Sequence, residues 1–201
     1  MRKVVLPMSL VSICVFAAVL IWYQFAGTAK VPAVSDGGSG ANEMLGLLRR
    51  IENPQRLPEF HFVDSSGIKR TLADFSGKTV LINLWATWCP PCRQEMPSLD
   101  RLHARLGGDD FQVLAISTDL NGISVVQEFY RTAGIVSLEA YMDQDGETEN
   151  TLKVPGLPTT LLVDKKGNAI AVRVGPAEWD SEEMERVIAA MRKQQSGAEK
   201  Q

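Results

Sequence analysis

Hydrophobic residues occur along the chain in blocks whose spacing changes from one to the next. From Val4 to Ala26 no charged residue interrupts them, and at about 1.5 Å per residue a helix of that length crosses a bilayer core of about 30 Å. TAKVPAVSDGGSGA then loses the pattern and has the Gly, Ser and Pro content of a flexible tether. In ANEMLGLLRRIENP the apolar residues return at helical spacing and end at a proline, which predicts a short helix leading into a domain that starts near Pro54.

Beyond Pro54, strand and helix patterns alternate. EFHFVD and IKRTL flank Ser65, Ser66 and Gly67, a β-hairpin pattern. TVLINLW is an apolar, partly β-branched run that predicts a buried strand; a helix from Pro90 to Leu106 follows and is stopped by Gly107 and Gly108. FQVLAIS predicts a second buried strand, and SVVQEFYRTAG a helix opened by a Ser-x-x-Gln capping box. DQDGETENTLKV reads as a turn and a short helix, TTLLVD and AIAVRVG as strands flanking the turn KKGN, and DSEEMERVIAAMRK as a capped amphipathic helix. The fold class is α/β, a mixed central sheet with helices on both faces. The organisation expected is an anchor over 1–29, a linker and short helix over 30–53, the folded domain over 54–192 and a frayed tail over 193–201.

Charge adds location and removes one class of partner. The chain has 201 residues and a net charge of -3, with acidic and basic residues interspersed and no basic stripe alternating with aromatics, so nucleic acid is not an expected partner. Arg2 and Lys3 precede the apolar block, which by the positive-inside rule keeps them in the cytoplasm and sends the domain outward. Trp22 and Tyr23 fall where an interfacial aromatic belt would lie. A cleaved signal peptide is the rival reading, since Gly27 and Ala29 offer small residues, but its apolar core usually spans about 7 to 15 residues. The expectation is a single-pass anchor in the cytoplasmic (inner) membrane with the domain facing the periplasm. Cys14, inside the apolar block, reads as an ordinary residue of that helix.

The chemistry concentrates in WATWCPPCRQEMP, residues 85–97. A C-x-x-C pair can be half a zinc site, a redox couple or a structural disulfide. Zinc takes about four ligands, and outside the apolar block the chain offers Cys89, Cys92, His61 and His103, with no second cysteine pair. A disulfide between residues three apart closes too short a loop to stabilise much. A redox pair fits the position, where a buried strand hands over to a helix in a chain directed outside the cytoplasm. Cys89 falls at the helix N-cap, where the partial positive charge favours the attacking thiolate, and Cys92, one turn in, resolves the mixed disulfide. Pro90 suits the first helical position. Pro91 removes a second N–H donor, so the Cys92 N–H is the expected backbone donor to the Cys89 sulfur. Trp85 is expected in the core and Trp88 on the surface beside the pair. Arg93 either raises thiolate character or is solvated.

With VPGLPTTLLVD and VGPAEWDS further on, these residues resemble the thioredoxin superfamily, specifically the membrane-anchored periplasmic thiol:disulfide oxidoreductases of the TlpA, ResA and CcmG type, over residues 54–192. VGPAEWDS is similar to the TlpA branch in particular. The resemblance implies a thioredoxin-like fold, a redox-active Cys89–Cys92 disulfide, and a cis-proline at Pro158 beside the pair, with the Leu157 backbone receiving a substrate strand. Trp88, Pro90, Pro91, Leu157 and Pro158 are then the substrate-contacting residues. Glu95 matches an acidic residue that tunes cysteine pKa values or relays a proton; without the resemblance it would read as a solvated helix glutamate. Asn83 stands where general thioredoxins carry a buried aspartate, and an amide cannot exchange a proton at ordinary pH. Trp179 and Glu178 are expected to pack the last helix rather than to take part in chemistry, and His61 and His103 read as ordinary residues.

The same resemblance implies a protein-disulfide reductase without cofactor or metal. Its partners would be disulfide-bearing proteins, foremost a copper chaperone and the copper subunit of a haem-copper oxidase (cytochrome oxidase), with apocytochrome c as the alternative. A membrane electron donor of the DsbD or CcdA kind would resupply it. A copper chaperone of the Sco type, a different class, would show C-x-x-x-C and a distal histidine, whereas the spacing here is one shorter. A peroxiredoxin would carry a Thr-x-x signature before its cysteine, which is absent.

Overall fold

A computed structural model of the protein describes residues 47–143 and 145–198. The expected anchor and tether lie outside the described residues, and among those described no helix is long and apolar enough to cross a membrane. The elements run β1 (Arg49–Arg56), β2 (His61–Val63), β3 (Lys69–Thr71), a 3₁₀ turn (Leu72–Phe75), β4 (Thr79–Trp85), α1 (Pro90–Leu106), β5 (Phe111–Ser117), α2 (Ile123–Ala133), β6 (Tyr141–Met142), α3 (Glu147–Leu152), β7 (Thr159–Val163), β8 (Asn168–Val174) and α4 (Glu182–Ala198).

The strands form one mixed sheet in the order β1-β8-β7-β4-β5-β6-β2-β3. β4 lies parallel to β5 and antiparallel to β7, and all seven of its residues are buried. That is why TVLINLW is apolar on nearly every position: it is a central strand covered on both faces. Alternation along β4 then sorts residues between two cores. Leu81 and Trp85 pack with Met96, Leu99 and Leu102 of α1, Phe129 and Tyr130 of α2, and Met184 and Ile188 of α4. Val80, Ile82 and Leu84 face Phe60, Phe62 and Tyr141, with Leu152 of α3 at the edge. Asn83 shares the first face, so this polar side chain points at α1.

Two hairpin turns share one device. Asp64 Oδ1 accepts the N–H groups of Ser66 and Ile68, and Asp164 Oδ1 those of Lys166 and Asn168. Gly67 and Gly167 close these turns at φ 77° and 87°, a region open to glycine at little cost.

Three expectations need correction. Residues 49–56, which begin inside the stretch read as a short helix, form β1, which pairs antiparallel with β8. The register slips between Arg50 and Gln55, and Pro54 sits inside that slip on an edge strand, where its missing N–H breaks no ladder. The capping box does not form: α2 starts one residue before Ser124, its N-cap is Gly122, and no side chain caps it. Finally α4 runs on to Ala198, through Gly197 and into the segment read as a frayed tail, with no proline to end it before that point.

Candidate active site

β4 ends at Trp85, and four residues later Cys89 caps the start of α1. Trp85 holds the strand end: its ring is fully buried, stacks on Tyr130 at 5.9 Å and lies against Phe129 at 5.3 Å. The connecting loop is clasped from two sides. Asp119 accepts the Thr87 N–H and hydroxyl at 2.8 and 2.7 Å, and Arg93 Nη1 donates to the Thr87 carbonyl at 3.2 Å. The Arg93 guanidinium also sits 5.1 Å above the Phe129 ring, so it is a fastening of the loop, with no bond to either sulfur among the described contacts.

Cys89 is the N-cap of α1 and is disulfide-bonded to Cys92. Pro90 and Pro91 occupy the first two helical positions, and the Cys92 N–H donates to the Cys89 sulfur at 3.3 Å. The prolines thus leave the N-terminus with Cys92 as the donor that reaches the sulfur. Cys89 is 4 % exposed and Cys92 0 %, so an incoming disulfide meets Cys89 first. Around it, Trp88 is two-thirds exposed, Pro90 is exposed and Pro91 half-buried. Thr87, Trp88, Pro90, Arg93, Gln94 and Phe129 line a shallow groove beside the pair.

The Leu157–Pro158 bond is cis. Thr159, the next residue, opens β7 opposite Leu84, which brings Pro158 to the same sheet end as the strand that leads to Cys89. Pro158 is buried and its carbonyl accepts the Gly175 N–H at 2.9 Å, while Leu157 is half-buried between the two cores.

Glu95 is not a solvated helix residue. It is 2 % exposed, one turn beyond Cys92 on the same helix. Its Oε1 accepts Asn83 Nδ2 at 2.8 Å; its Oε2 accepts the Ala177 N–H and Trp179 Nε1–H, both at 2.9 Å. Burial raises its pKa above the ordinary 4.5, and the bonds from Trp179, Asn83 and Ala177, together with the charge of Arg173, oppose the rise without cancelling it. The result is a carboxyl group that can exchange a proton nearer neutrality than a surface glutamate does.

Trp179 was expected only to pack the last helix. It is fully buried and packs with α4 as expected, but its indole is also part of the wall around Glu95. The loop that carries it is docked by Ser98, whose hydroxyl donates to the Glu95 carbonyl at 2.7 Å and accepts the Trp179 N–H at 3.1 Å. Arg101 adds bonds to Asp180 and Glu178. Nothing in VGPAEWDS announces this contact; a tryptophan in a polar loop is the sole signal, because a buried indole N–H calls for an acceptor. His61 pairs with Glu147, and His103 accepts the Val113 N–H, both away from the sulfurs.

Against known proteins, the family model described as Redoxin matches residues 52–188. The thiol-disulfide oxidoreductase ResA of Bacillus thuringiensis is 34% identical over 121 residues, which cover 60% of this chain and 69% of that protein. The ResA of Geobacillus kaustophilus is 30% identical over 135 residues, 67% of this chain and 75% of that one. Among solved structures, a thiol:disulfide interchange protein of the thioredoxin family from Chlorobium tepidum superposes with a TM-score of 0.56 at 25% identity, covering 69% of this chain and 99% of its own.

Proposed function

The chain belongs to the Redoxin family, has a thioredoxin-like fold and is a thiol:disulfide oxidoreductase, and from that premise we propose that it works as a reductant of disulfides in proteins outside the cytoplasm, held to the inner membrane by its N-terminal apolar segment. The observation that carries the exchange chemistry is Glu95, a buried acid with a raised pKa one turn beyond the resolving cysteine. In the reduced protein the Cys89 thiolate attacks one sulfur of a partner disulfide, and the partner's other sulfur leaves as a thiolate and takes a proton. Cys92 gives up its proton and attacks the Cys89 sulfur. The mixed disulfide breaks, the second partner thiol leaves, and two electrons have passed to the partner. Glu95 is the acid-base group beside this exchange. The Trp88 groove and the Leu157–Pro158 turn receive the partner's strand.

The substrates we assign are disulfides formed between metal-binding cysteines, which must be thiols to load copper: those of a copper chaperone and of an oxidase copper subunit. The disulfide of apocytochrome c is the competing substrate. Re-reduction falls to a membrane donor of the DsbD or CcdA kind. The test mixes the reduced protein with each oxidised partner and follows the partner's free thiols. Cys92→Ser should accumulate a mixed disulfide through Cys89 with the true substrate and abolish turnover. A reduction potential near about -120 mV, where DsbA lies, rather than near about -270 mV, where thioredoxin lies, would make the protein an oxidant and end this reading. Stoichiometric copper binding by the reduced protein would place it instead with the copper chaperones.

A further inference from the structure

The donors around Glu95 determine where its proton can sit. Oε2 is held by the Ala177 N–H and the Trp179 Nε1–H, two groups that donate and cannot accept. A proton on Oε2 would face both of them. Oε1 has one bond among the described residues, from Asn83 Nδ2, so the proton belongs there. Yet Nδ2 is also a donor. Its two hydrogens go to Glu95 Oε1 at 2.8 Å and Thr160 Oγ1 at 2.9 Å, while the amide oxygen of the same side chain is buried with no partner among the described residues.

A half-turn of the Asn83 carboxamide interchanges its oxygen and nitrogen and displaces nothing else. The oxygen then occupies the place of Nδ2, where its two lone pairs accept the Glu95 O–H and the Thr160 hydroxyl. Thr160 can make the exchange because a hydroxyl both donates and accepts. We propose that Asn83 is the positioning residue of the proton-handling site: it donates to the Glu95 carboxylate, turns its amide when Glu95 is protonated, and so fixes the exchangeable proton on Oε1. The turn is not free. It carries the NH₂ into the place where the oxygen had no partner, which counts against the protonated state.

Asn83 on β4 and Thr160 on β7 are both fully buried and uncharged. The charge that faces Glu95 is Arg173 of β8, whose guanidinium donates to the carbonyls of Leu47 and Pro176. The other titrating groups near it on α1 are the two cysteines, which do not titrate while they form the disulfide. An amide in place of a carboxyl on β4 is therefore no blunted version of an acid. Among the described residues it is the one partner of Glu95 that can follow the proton.

The inference rests on Glu95 handling protons for the redox pair, and the experiment separates the two. Isotopically labelled oxidised protein is followed by NMR as pH is varied. The Glu95 carboxyl carbon and the Asn83 side-chain amide should titrate with one midpoint, and the Overhauser contact between the Asn83 NH₂ and Thr160 should be present above that midpoint and lost below it. In Glu95→Gln the glutamine oxygen must face Ala177 and Trp179, its NH₂ faces Asn83, and the contact to Thr160 should be absent at every pH. Asn83→Leu, which removes the donor, should raise the Glu95 midpoint by about one pH unit. A Thr160 contact that persists through the midpoint or survives in Glu95→Gln overturns the proposal, as does a midpoint unmoved in Asn83→Leu. Wild-type reduction rates in Glu95→Gln would instead overturn the role given to Glu95 itself.

Discussion

Glu95 and Asp100 stand five residues apart on α1, are both buried, and are both surrounded by N–H donors. The donors differ in kind. Asp100 accepts the backbone N–H groups of Val136, Ser137 and Leu138, three consecutive residues after α2, at 3.2, 2.7 and 2.9 Å from Oδ1. Glu95 accepts one backbone N–H and two side chains that come from β4 and from the loop after β8. The first arrangement is a splint that ties a loop to a helix, and every partner in it is an obligate donor. In the second, one partner can turn round. Burial of a carboxyl group on the active-site helix therefore does not by itself mark a role in chemistry; a neighbour able to accommodate the proton does.

The largest effect should come from breaking the splint. Asp100→Ala leaves three N–H groups without their acceptor, and the Leu138 N–H is the most deeply buried of them. The loss should be about 2–3 kcal/mol of unfolding free energy in urea, with the rate of disulfide reduction in the folded protein within about twofold of wild type. A folded Asp100→Ala protein with a collapsed reduction rate would erase the distinction between the two acids.

Glu95→Gln should do the reverse, slowing reduction about tenfold or more near neutral pH, which in barrier terms is upwards of about 1.4 kcal/mol. Its stability has a sign that can be worked out. The folded-state pKa of Glu95 lies above its unfolded value near 4.5, so at a pH between the two the folded protein holds more protons than the unfolded one. The stabilisation linked to that proton is complete below the unfolded pKa and is lost as pH rises through the folded one. The unfolding free energy of wild type should therefore fall relative to Glu95→Gln as pH climbs from about 4.5, then run parallel to it at higher pH. A flat difference across that range would mean the folded protein does not hold the proton more tightly than the unfolded chain does.

How much of this could be read beforehand follows from the range of the interactions involved. The Cys89 N-cap, the prolines in the first turn and the buried TVLINLW strand are set by neighbours within a few residues, and the chain spells them out. Glu95 is a candidate only through the family resemblance, which places an acid three residues after Cys92, and its burial is not legible, because the residues that cover it lie 82 and 84 positions away. β1 shows the same limit from the other side. The helical apolar spacing comes mostly from the residues just before it, and residues 49–56 become a strand because β8, more than 110 residues on, presents an edge to them. Ser124 illustrates a smaller failure: the Ser-x-x-Gln pattern is present, but α2 begins one residue early, and a hydroxyl inside the first turn no longer caps it.

The smallest expected effect probes the comparison most closely. Trp179→Phe removes one donor from Oε2 and keeps an aromatic ring in the core beside Met184 and Ile188. It takes a single N–H from a buried carboxylate, where Asp100→Ala takes the carboxylate from three. With the Ala177 N–H still bonded, the carboxylate is less well stabilised than before, and the acid limb of the pH–rate profile should move up by roughly half a unit to one unit. The maximal rate should stay within about threefold and stability should fall by about 1 kcal/mol, the usual scale for one hydrogen bond. If Trp179 serves only to pack α4, stability alone will change and the acid limb will stay where it was. A limb that moves while the maximum holds would assign the indole to the proton site rather than to the helix it was first read as supporting.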